Sequence, residues 1–150
     1  MKTMCAAIIG LALTTSAFAA DHDQAEAQKA VDTFAANYIK AFNAKDAAAI
    51  AAMFVDDGIE IPPNRPITGK DNIEKWFKSI FDGGTTGLNY DIKRVQPEGD
   101  VVLAVGQFTV KIPQNGVPKD MEGNFVNIYQ WDGNDLKYRV HSYNLIPPLQ

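Results

Sequence analysis

The chain has 150 residues and a formal net charge of −4, and its 14 lysine and arginine residues form no cluster. Nucleic acids and anionic membrane surfaces are therefore poor partners, since both attract proteins through blocks of basic residues. The length suits one domain with one hydrophobic core. With a single cysteine, Cys5, the chain has no internal disulfide, so its stability must come from that core.

The first 19 residues are typical of a secretory signal peptide. Lys2 precedes an apolar run over residues 6–13, and Ala17-Phe18-Ala19 has the small-x-small pattern of a signal-peptidase site. The run is too short to cross a bilayer, which takes about 20 apolar residues. We therefore predict residues 1–19 as a cleaved signal peptide and residues 20–150 as a periplasmic or secreted domain without a membrane anchor.

Three helices are predicted in the first half of the chain. The first spans residues 21–44, where apolar side chains recur at the spacing of one helical face: Val31, Phe34, Tyr38, Ile39 and Phe42. The second is short and runs from Asp46, a good N-terminal cap, to Phe54. The third spans residues 70–81 and stops at Gly83-Gly84, since glycine commonly follows a helix.

The second half of the chain has the patterns of β-strands. A short strand is predicted at residues 59–61, before a proline pair that ends it. Longer strands are predicted at residues 88–95, 101–112, 124–131 and 136–145, with turn residues between them. Helices followed by an antiparallel meander predict an α+β domain with the helices on one face of the sheet.

Three segments also carry the motifs of a known family. They are NYIKAFNAKDAAAIAAMFVDDGIEIPP at residues 37–63, ITGKDNIEKWF at 67–77 and GNFVNIYQWDGNDLKYRVHSYN at 123–144. These segments resemble the nuclear-transport-factor-2-like superfamily, mainly its SnoaL-like and SgcJ/EcaC-type members and more distantly ketosteroid isomerase. The resemblance implies a cone-shaped domain in which three N-terminal helices pack on a curved, mostly antiparallel sheet. It does not imply one reaction, because in this superfamily the pocket determines the function.

The similarity to ketosteroid isomerase places three functional positions of that enzyme on this sequence. Its tyrosine donor falls on Tyr38, its oxyanion-binding aspartate on Asn127 and its catalytic base on Pro62. Since proline cannot accept a proton, we do not expect the isomerase mechanism here. Glu60 lies two residues earlier on the same strand face. It is either a carboxylate inside a pocket or a solvated or salt-bridged residue on the outside of the strand.

A small-molecule pocket is predicted inside the cone, because aromatic walls with a few polar groups are typical of such sites. Tyr38 and Glu60 are the candidate catalytic residues within it. The predicted pocket residues are Tyr38, Phe42, Glu60, Trp76, Asn127, Tyr129, Val140, Ser142 and Asn144.

The last strand, at residues 136–145, divides into two sets by alternation. One set is expected to face the helices and the cavity: Leu136, Tyr138, Val140, Ser142 and Asn144. The other set is expected to face outwards: Lys137, Arg139, His141 and Tyr143. Relatives of this fold often pair sheet to sheet, so the outer face predicts a homodimer. His141 is accordingly expected at an interface or in solvent rather than in a catalytic role.

Three hypotheses for the function follow. The first is an exported domain that binds a small apolar or amphipathic molecule. The second is an isomerase, cyclase or dehydratase for a small carbonyl-containing substrate, in which Glu60 moves protons while Tyr38 and Asn127 polarise the carbonyl oxygen. The third is a dimeric interaction module without a ligand, which uses the outer sheet face.

No cofactor is predicted, and no multi-histidine metal site, because the sequence has neither a glycine-rich phosphate loop nor the histidine spacing of zinc sites. Signal-peptide cleavage would create one further candidate at the new terminus, Ala20-Asp21-His22. Its amine, backbone amides and imidazole would offer the square-planar nitrogen ligands that Cu(II) and Ni(II) prefer. The alternative is a frayed polar terminus.

Overall fold

A computed structural model describes residues 22–147, so the predicted signal peptide lies outside the described residues. The helices are α1 (Gln24–Asn43), α2 (Ala47–Ala52) and α3 (Lys70–Asp82). The strands are β1 (Phe54–Ile61), β2 (Ile67–Thr68), β3 (Thr86–Glu98), β4 (Val101–Gln114), β5 (Val117–Asp132) and β6 (Asp135–Ile146). No helix in the described part of the chain has the length and apolar character needed to cross a membrane.

Side-chain caps determine where the first two helices begin. The Asp23 carboxylate accepts a hydrogen bond from the Glu26 amide at 2.8 Å, and the Asp46 carboxylate accepts one from Ala49 at 2.9 Å. Each satisfies a backbone donor that a helix N-terminus leaves unpaired. α2 ends at Ala52, earlier than predicted, because Phe54 already belongs to β1.

The six strands form one sheet in the order β2-β1-β6-β5-β4-β3. All neighbouring strands are antiparallel except β1 and β6, which are parallel. The predicted α+β fold, with helices on a curved and mostly antiparallel sheet, is confirmed. The two-residue strand β2 was not predicted, since a periodic pattern cannot be read from two residues.

Asn43 fastens the end of α1 to the sheet. Its side-chain amide donates to the Leu88 carbonyl at 3.0 Å, and its side-chain oxygen accepts from the Leu88 amide at 2.9 Å. The side chain therefore pairs with the backbone of β3 as a neighbouring strand would. This contact holds the last turn of α1, which carries Phe42, against the concave face of the sheet.

A one-residue bulge at Arg139 reverses the alternation of β6. Ile128 of β5 pairs with Val140, whereas the next residue, Tyr129, pairs with Tyr138, so that Arg139 is the extra residue. A bulge places two residues opposite one and shifts every following side chain to the other face. Before the bulge the inward side chains of β6 have even residue numbers, and after it they have odd numbers.

Because of the bulge, the second half of β6 faces the opposite way from the sequence prediction. His141 is buried, and Tyr143 and Leu145 are partly buried against the core, so the expected outward position of His141 and Tyr143 is wrong. Val140, Ser142 and Asn144 were predicted to face the pocket, but they lie on the outer face, where Asn144 is exposed. Strict alternation cannot detect an inserted residue, which explains the error.

Candidate functional site

A cavity of about 330 Å³ lies between α1, α3 and the concave face of the sheet. Its walls are mostly aromatic and aliphatic side chains, among them Phe42, Trp76, Phe77, Leu88, Phe108 and Val110. The exposed residues Pro63 and Asn64 also border it, so its opening lies beside the loop after β1. The size and the apolar lining suit a small organic molecule.

The predicted pocket residues divide into three groups in the structure. Tyr38, Phe42 and Trp76 line the cavity. Glu60, Asn127 and Tyr129 are buried, at 0%, 0% and 1% exposure, but do not line the cavity. Val140, Ser142 and Asn144 lie outside it, on the other face of β6.

Glu60 is fully buried, which excludes the solvated position considered for it. β1 and β6 place Glu60 beside His141 in register, and the Glu60 Oε2 atom is 2.7 Å from His141 Nδ1. Buried carboxylates are rare unless they are paired, and His141 is the partner here. The second oxygen, Oε1, has no hydrogen-bond partner among the described residues.

Tyr90 extends this pair into a chain of three residues. Its hydroxyl is 2.9 Å from His141 Nε2, and both Tyr90 and His141 line the cavity. Glu60 is therefore connected to the cavity wall through the imidazole. A carboxylate that accepts from one histidine nitrogen orients the ring and determines which nitrogen carries the proton.

Sequence reasoning missed both His141 and Tyr90. The position of His141 depends on the bulge, which moved it from the expected outer face to the cavity. Tyr90 lies in a predicted strand, but its partner is 51 positions away in the chain. The apolar alternation of β3 was the only available signal for it, and that pattern indicates burial without indicating a partner.

Tyrosine side chains surround the imidazole of His141. The ring centroids of Tyr38, Tyr138 and Tyr143 lie 5.4, 4.9 and 5.7 Å from it. Burial raises the pKa of the hydroxyl groups of Tyr38, Tyr90 and Tyr143, and the Glu60 charge raises each of them further. This end of the cavity therefore disfavours an additional negative charge.

Asn127 makes its hydrogen bond away from the cavity. Its side-chain amide donates to the Tyr129 hydroxyl at 3.1 Å, and neither residue lines the cavity. Burial raises the pKa of Tyr129 to about 12. The predicted pairing of Tyr38 with Asn127 around one carbonyl oxygen is therefore not present, since Tyr38 lines the cavity and Asn127 does not.

The metal-binding terminus considered above lies mainly outside the described residues, which include only His22 of the three. The His22 imidazole stacks on Trp131 at a centroid distance of 3.8 Å, and its Nδ1 is 3.0 Å from Glu26 Oε2. Within residues 22–147 no group of three or more histidine, cysteine, aspartate or glutamate side chains could hold a metal ion.

The cone with its cavity matches a known family. The sequence model of the SnoaL-like domain family matches residues 35–138, which is most of the chain. This chain belongs to the SnoaL-like domain family. Among curated proteins, no relative matches it.

Solved structures share the fold of this SnoaL-like domain. A ketosteroid isomerase-like protein from Erwinia carotovora atroseptica SCRI1043 matches with a TM-score of 0.70 and 23% identity, over 80% of this chain and 96% of the other. An NTF2-like protein with a cystatin-like fold from Novosphingobium aromaticivorans matches with a TM-score of 0.67 and 14% identity, over 83% and 85%. An NTF2-like protein of unknown function from Shewanella oneidensis MR-1 matches with a TM-score of 0.66 and 13% identity, over 77% and 97%. At these identities the similarity establishes the nuclear-transport-factor-2-like fold and leaves the ligand open.

Proposed function

We propose that this SnoaL-like domain is exported and binds a small apolar or amphipathic molecule inside its cone. The observation that carries the proposal is the cavity of about 330 Å³ with aromatic and aliphatic walls. Burying a ligand there removes apolar surface from water, which contributes about 25 cal/mol per Å². Export is supported by the apolar run and the Ala17-Phe18-Ala19 site near the start of the chain.

Filling the cavity should abolish this binding. Ile112 lines the cavity and is only partly buried, so an Ile112→Trp side chain can enter the space without disrupting the core. Indane is a suitable hydrocarbon probe, and calorimetry of the wild type should give a Kd on the order of 100 μM, as expected for a ligand of this size. Ile112→Trp should show no binding.

Val117→Trp is the matched control, because Val117 lies at the start of β5, does not line the cavity and is 55% exposed. It should bind indane as the wild type does. If indane and close analogues leave the wild type without any heat of binding, the proposed function is wrong.

Proton transfer on a carbonyl-containing substrate is the second candidate function, and the buried Glu60–His141 pair favours it. The Tyr90 oxygen would take the proton from the carbon next to the carbonyl as the Tyr90 hydroxyl hydrogen passes to His141 Nε2, 2.9 Å away, while the Tyr38 hydroxyl donates to the carbonyl oxygen. Glu60 would then act by orienting and stabilising the imidazole, since it does not line the cavity. These roles replace the direct role for Glu60 and the Tyr38–Asn127 pair predicted from the sequence.

Hydrogen–deuterium exchange at the α-carbons of 2-indanone tests this second function. In D₂O, followed by NMR, the wild type should exchange these hydrogens faster than buffer alone. His141→Gln should reduce the rate to that of buffer, and Glu60→Gln should reduce it by roughly 100-fold, within the range of general acid–base catalysis. An unchanged rate in folded His141→Gln would remove His141 from the reaction.

We also propose that the domain dimerises through its outer sheet face, as predicted for this fold. The pairing of β4, β5 and β6 aligns an apolar set there: Leu103, Val105, Val126, Ile128 and Val140. Tyr143, which was predicted for this face, belongs to the cavity instead. Val126→Asp should therefore convert a dimer to a monomer in sedimentation-velocity measurements, because a carboxylate would be buried unpaired.

Val117→Asp is the control for the dimer, since Val117 is similarly exposed, at 55%, but lies at the start of β5, far along the strand from this apolar set. It should leave the dimer intact. A wild-type protein that sediments as a monomer at every concentration would contradict this proposal.

A further inference from the structure

We propose that signal-peptide cleavage creates a Cu(II) site at the new N-terminus of the chain. The proposal rests on the export proposed above, and specifically on cleavage after Ala19, which makes His22 the third residue. The four ligands are the amine of Ala20, the backbone amide nitrogens of Asp21 and His22, and the Nδ1 atom of His22. Both amides release their protons to solvent when the ion binds, because ligands bind metals in their deprotonated form.

The third position of the histidine determines the geometry of the site. The amine, the two amides and the imidazole then close three fused chelate rings around one ion, with four nitrogens in a plane. This ligand set is the one that Cu(II) and Ni(II) prefer, whereas Zn(II) prefers a tetrahedral arrangement. Cu(II) binds more tightly than Ni(II) in the usual order of affinities, so it is the expected ion. Residue 21 is an aspartate and not a proline, so its amide is available.

His22 supplies two of the four nitrogens, and neither is committed to a strong contact. Its backbone amide has no backbone partner within residues 22–147. Its Nδ1 atom is 3.0 Å from the carboxylate of Glu26, whose side chain is 53% exposed. A contact with an exposed carboxylate contributes little to stability, so a metal ion displaces it at small cost.

The site lies just outside the first helix. Asp23 is the N-terminal cap, and α1 begins at Gln24. Wrapping residues 20–22 around an ion therefore breaks none of the hydrogen bonds of α1. Three of the four ligands are backbone nitrogens, so the site needs no cluster of metal-binding side chains.

Trp131 holds the imidazole in place and can report on the ion. The His22 ring stacks on the Trp131 ring at 3.8 Å, with 18° between the two planes. This stack restricts the imidazole before the ion arrives, which reduces the entropy lost on binding. Cu(II) bound to His22 would lie next to the indole and quench its fluorescence. The other tryptophan, Trp76, lines the cavity.

The first step of the test determines where the mature chain begins. The full chain would be expressed in a bacterial host and recovered from the periplasm, and its mass would identify its first residue, which we expect to be Ala20. A chain that stays uncleaved in the cytoplasm would contradict both the proposed export and the copper site. A chain that is exported but cleaved elsewhere would leave export standing and show that the copper inference is wrong.

The second step measures copper binding by the mature chain. Copper sulfate would be titrated in neutral buffer with glycine as a competing ligand, followed by visible absorption. We expect one ion per chain, with the short-wavelength band of Cu(II) in a plane of four nitrogens. His22→Ala should weaken binding by at least about 100-fold, since even the loss of a group behind a ligand weakens metal binding by up to this factor.

Two further variants are matched controls for the ligand set. A glycine inserted between Ala19 and Ala20 keeps every side chain but makes His22 the fourth residue, so it should weaken binding as much as His22→Ala does. Glu26→Ala should bind copper as the wild type does, because no carboxylate is a ligand. Affinity that falls less than tenfold in His22→Ala or in the glycine variant would indicate an adventitious ion only and would overturn the inference.

Fluorescence locates the ion. One equivalent of copper should quench the emission of the wild type, whereas Trp131→Phe should keep its copper affinity and lose most of this quenching. Equal quenching of the remaining emission in Trp131→Phe would place the ion elsewhere and contradict the proposal. The cavity plays no part in this site, so a failure of indane binding would leave the copper inference intact.

Discussion

Replacing His141 with phenylalanine should lower the free energy of unfolding by about 3 to 5 kcal/mol, the range for leaving a buried charged group without its partner. The phenylalanine ring replaces the imidazole among the surrounding tyrosines, so an unfilled space should contribute little to the loss of stability. The cost arises because Glu60 keeps its carboxylate at 0% exposure while losing its one hydrogen-bond partner among residues 22–147, the His141 Nδ1 atom at 2.7 Å. Tyr90 also loses its acceptor. Urea unfolding followed by circular dichroism measures the change.

The double variant Glu60→Leu/His141→Phe shows whether the stability loss comes from the broken Glu60–His141 pair or from altered packing. Removing both partners leaves no buried charge, and such replacements are often neutral or stabilising. We therefore expect the double variant to recover most of the stability that His141→Phe loses. If the effects of Glu60→Leu and His141→Phe, each measured alone, simply add in the double variant, the residues do not form a coupled pair in the folded protein.

Inserting one alanine between Val140 and His141 should prevent the domain from folding or destabilise it by more than about 4 kcal/mol, which places it among the most severe single changes. The added residue would reverse the alternation after Val140, turn His141 and Tyr143 outwards and leave Glu60 without its partner. The same shift would bring Ser142 and Asn144 into an apolar cavity. Circular dichroism and urea unfolding of the insertion variant would measure the effect.

Arg139→Ala is the matched control, since it changes a side chain at the bulge and keeps the number of residues in β6. The side chain is exposed, and its contacts are a hydrogen bond to Gln130 and a 3.9 Å ion pair with the exposed Asp57. Exposed pairs contribute little, so the loss should stay below about 1 kcal/mol. An insertion variant as stable as Arg139→Ala would show that the alternation of β6 does not determine which face His141 occupies.

The residue pattern identified most of the fold because that information is local. The helical stripe through Val31, Tyr38 and Phe42, the Asp46 cap and the turns between strands each involve neighbours in sequence. Such signals specify element type and order without any knowledge of packing. The motifs shared with relatives then implied the cone, and the match to the SnoaL-like domain family covers the same region.

The candidate site was predicted less completely, and Glu60 shows why. The alternation of Glu60 with its flanking isoleucines was compatible with Glu60 on either face of the strand. The pattern therefore left both the pocket position and the outer position open. Alignment with ketosteroid isomerase placed that enzyme's catalytic base on Pro62, and Glu60 is the acidic residue two positions earlier. Nothing in the local sequence indicated that a histidine 81 positions away would pair with it. That contact exists because β1 and β6 are parallel neighbours in the sheet.

The sequence by itself determined the elements of this protein, their order, its family and the apolar character of its interior, since all of these depend on residue type and short-range spacing. The tertiary structure decided which side chains meet at the cavity. A single unpaired residue, Arg139, changes the face of every residue after it in β6, and strand pairing then brings Glu60, His141 and Tyr90 into one hydrogen-bonded chain. The chemistry of the site therefore depends on register, a property of two strands together that neither strand carries alone.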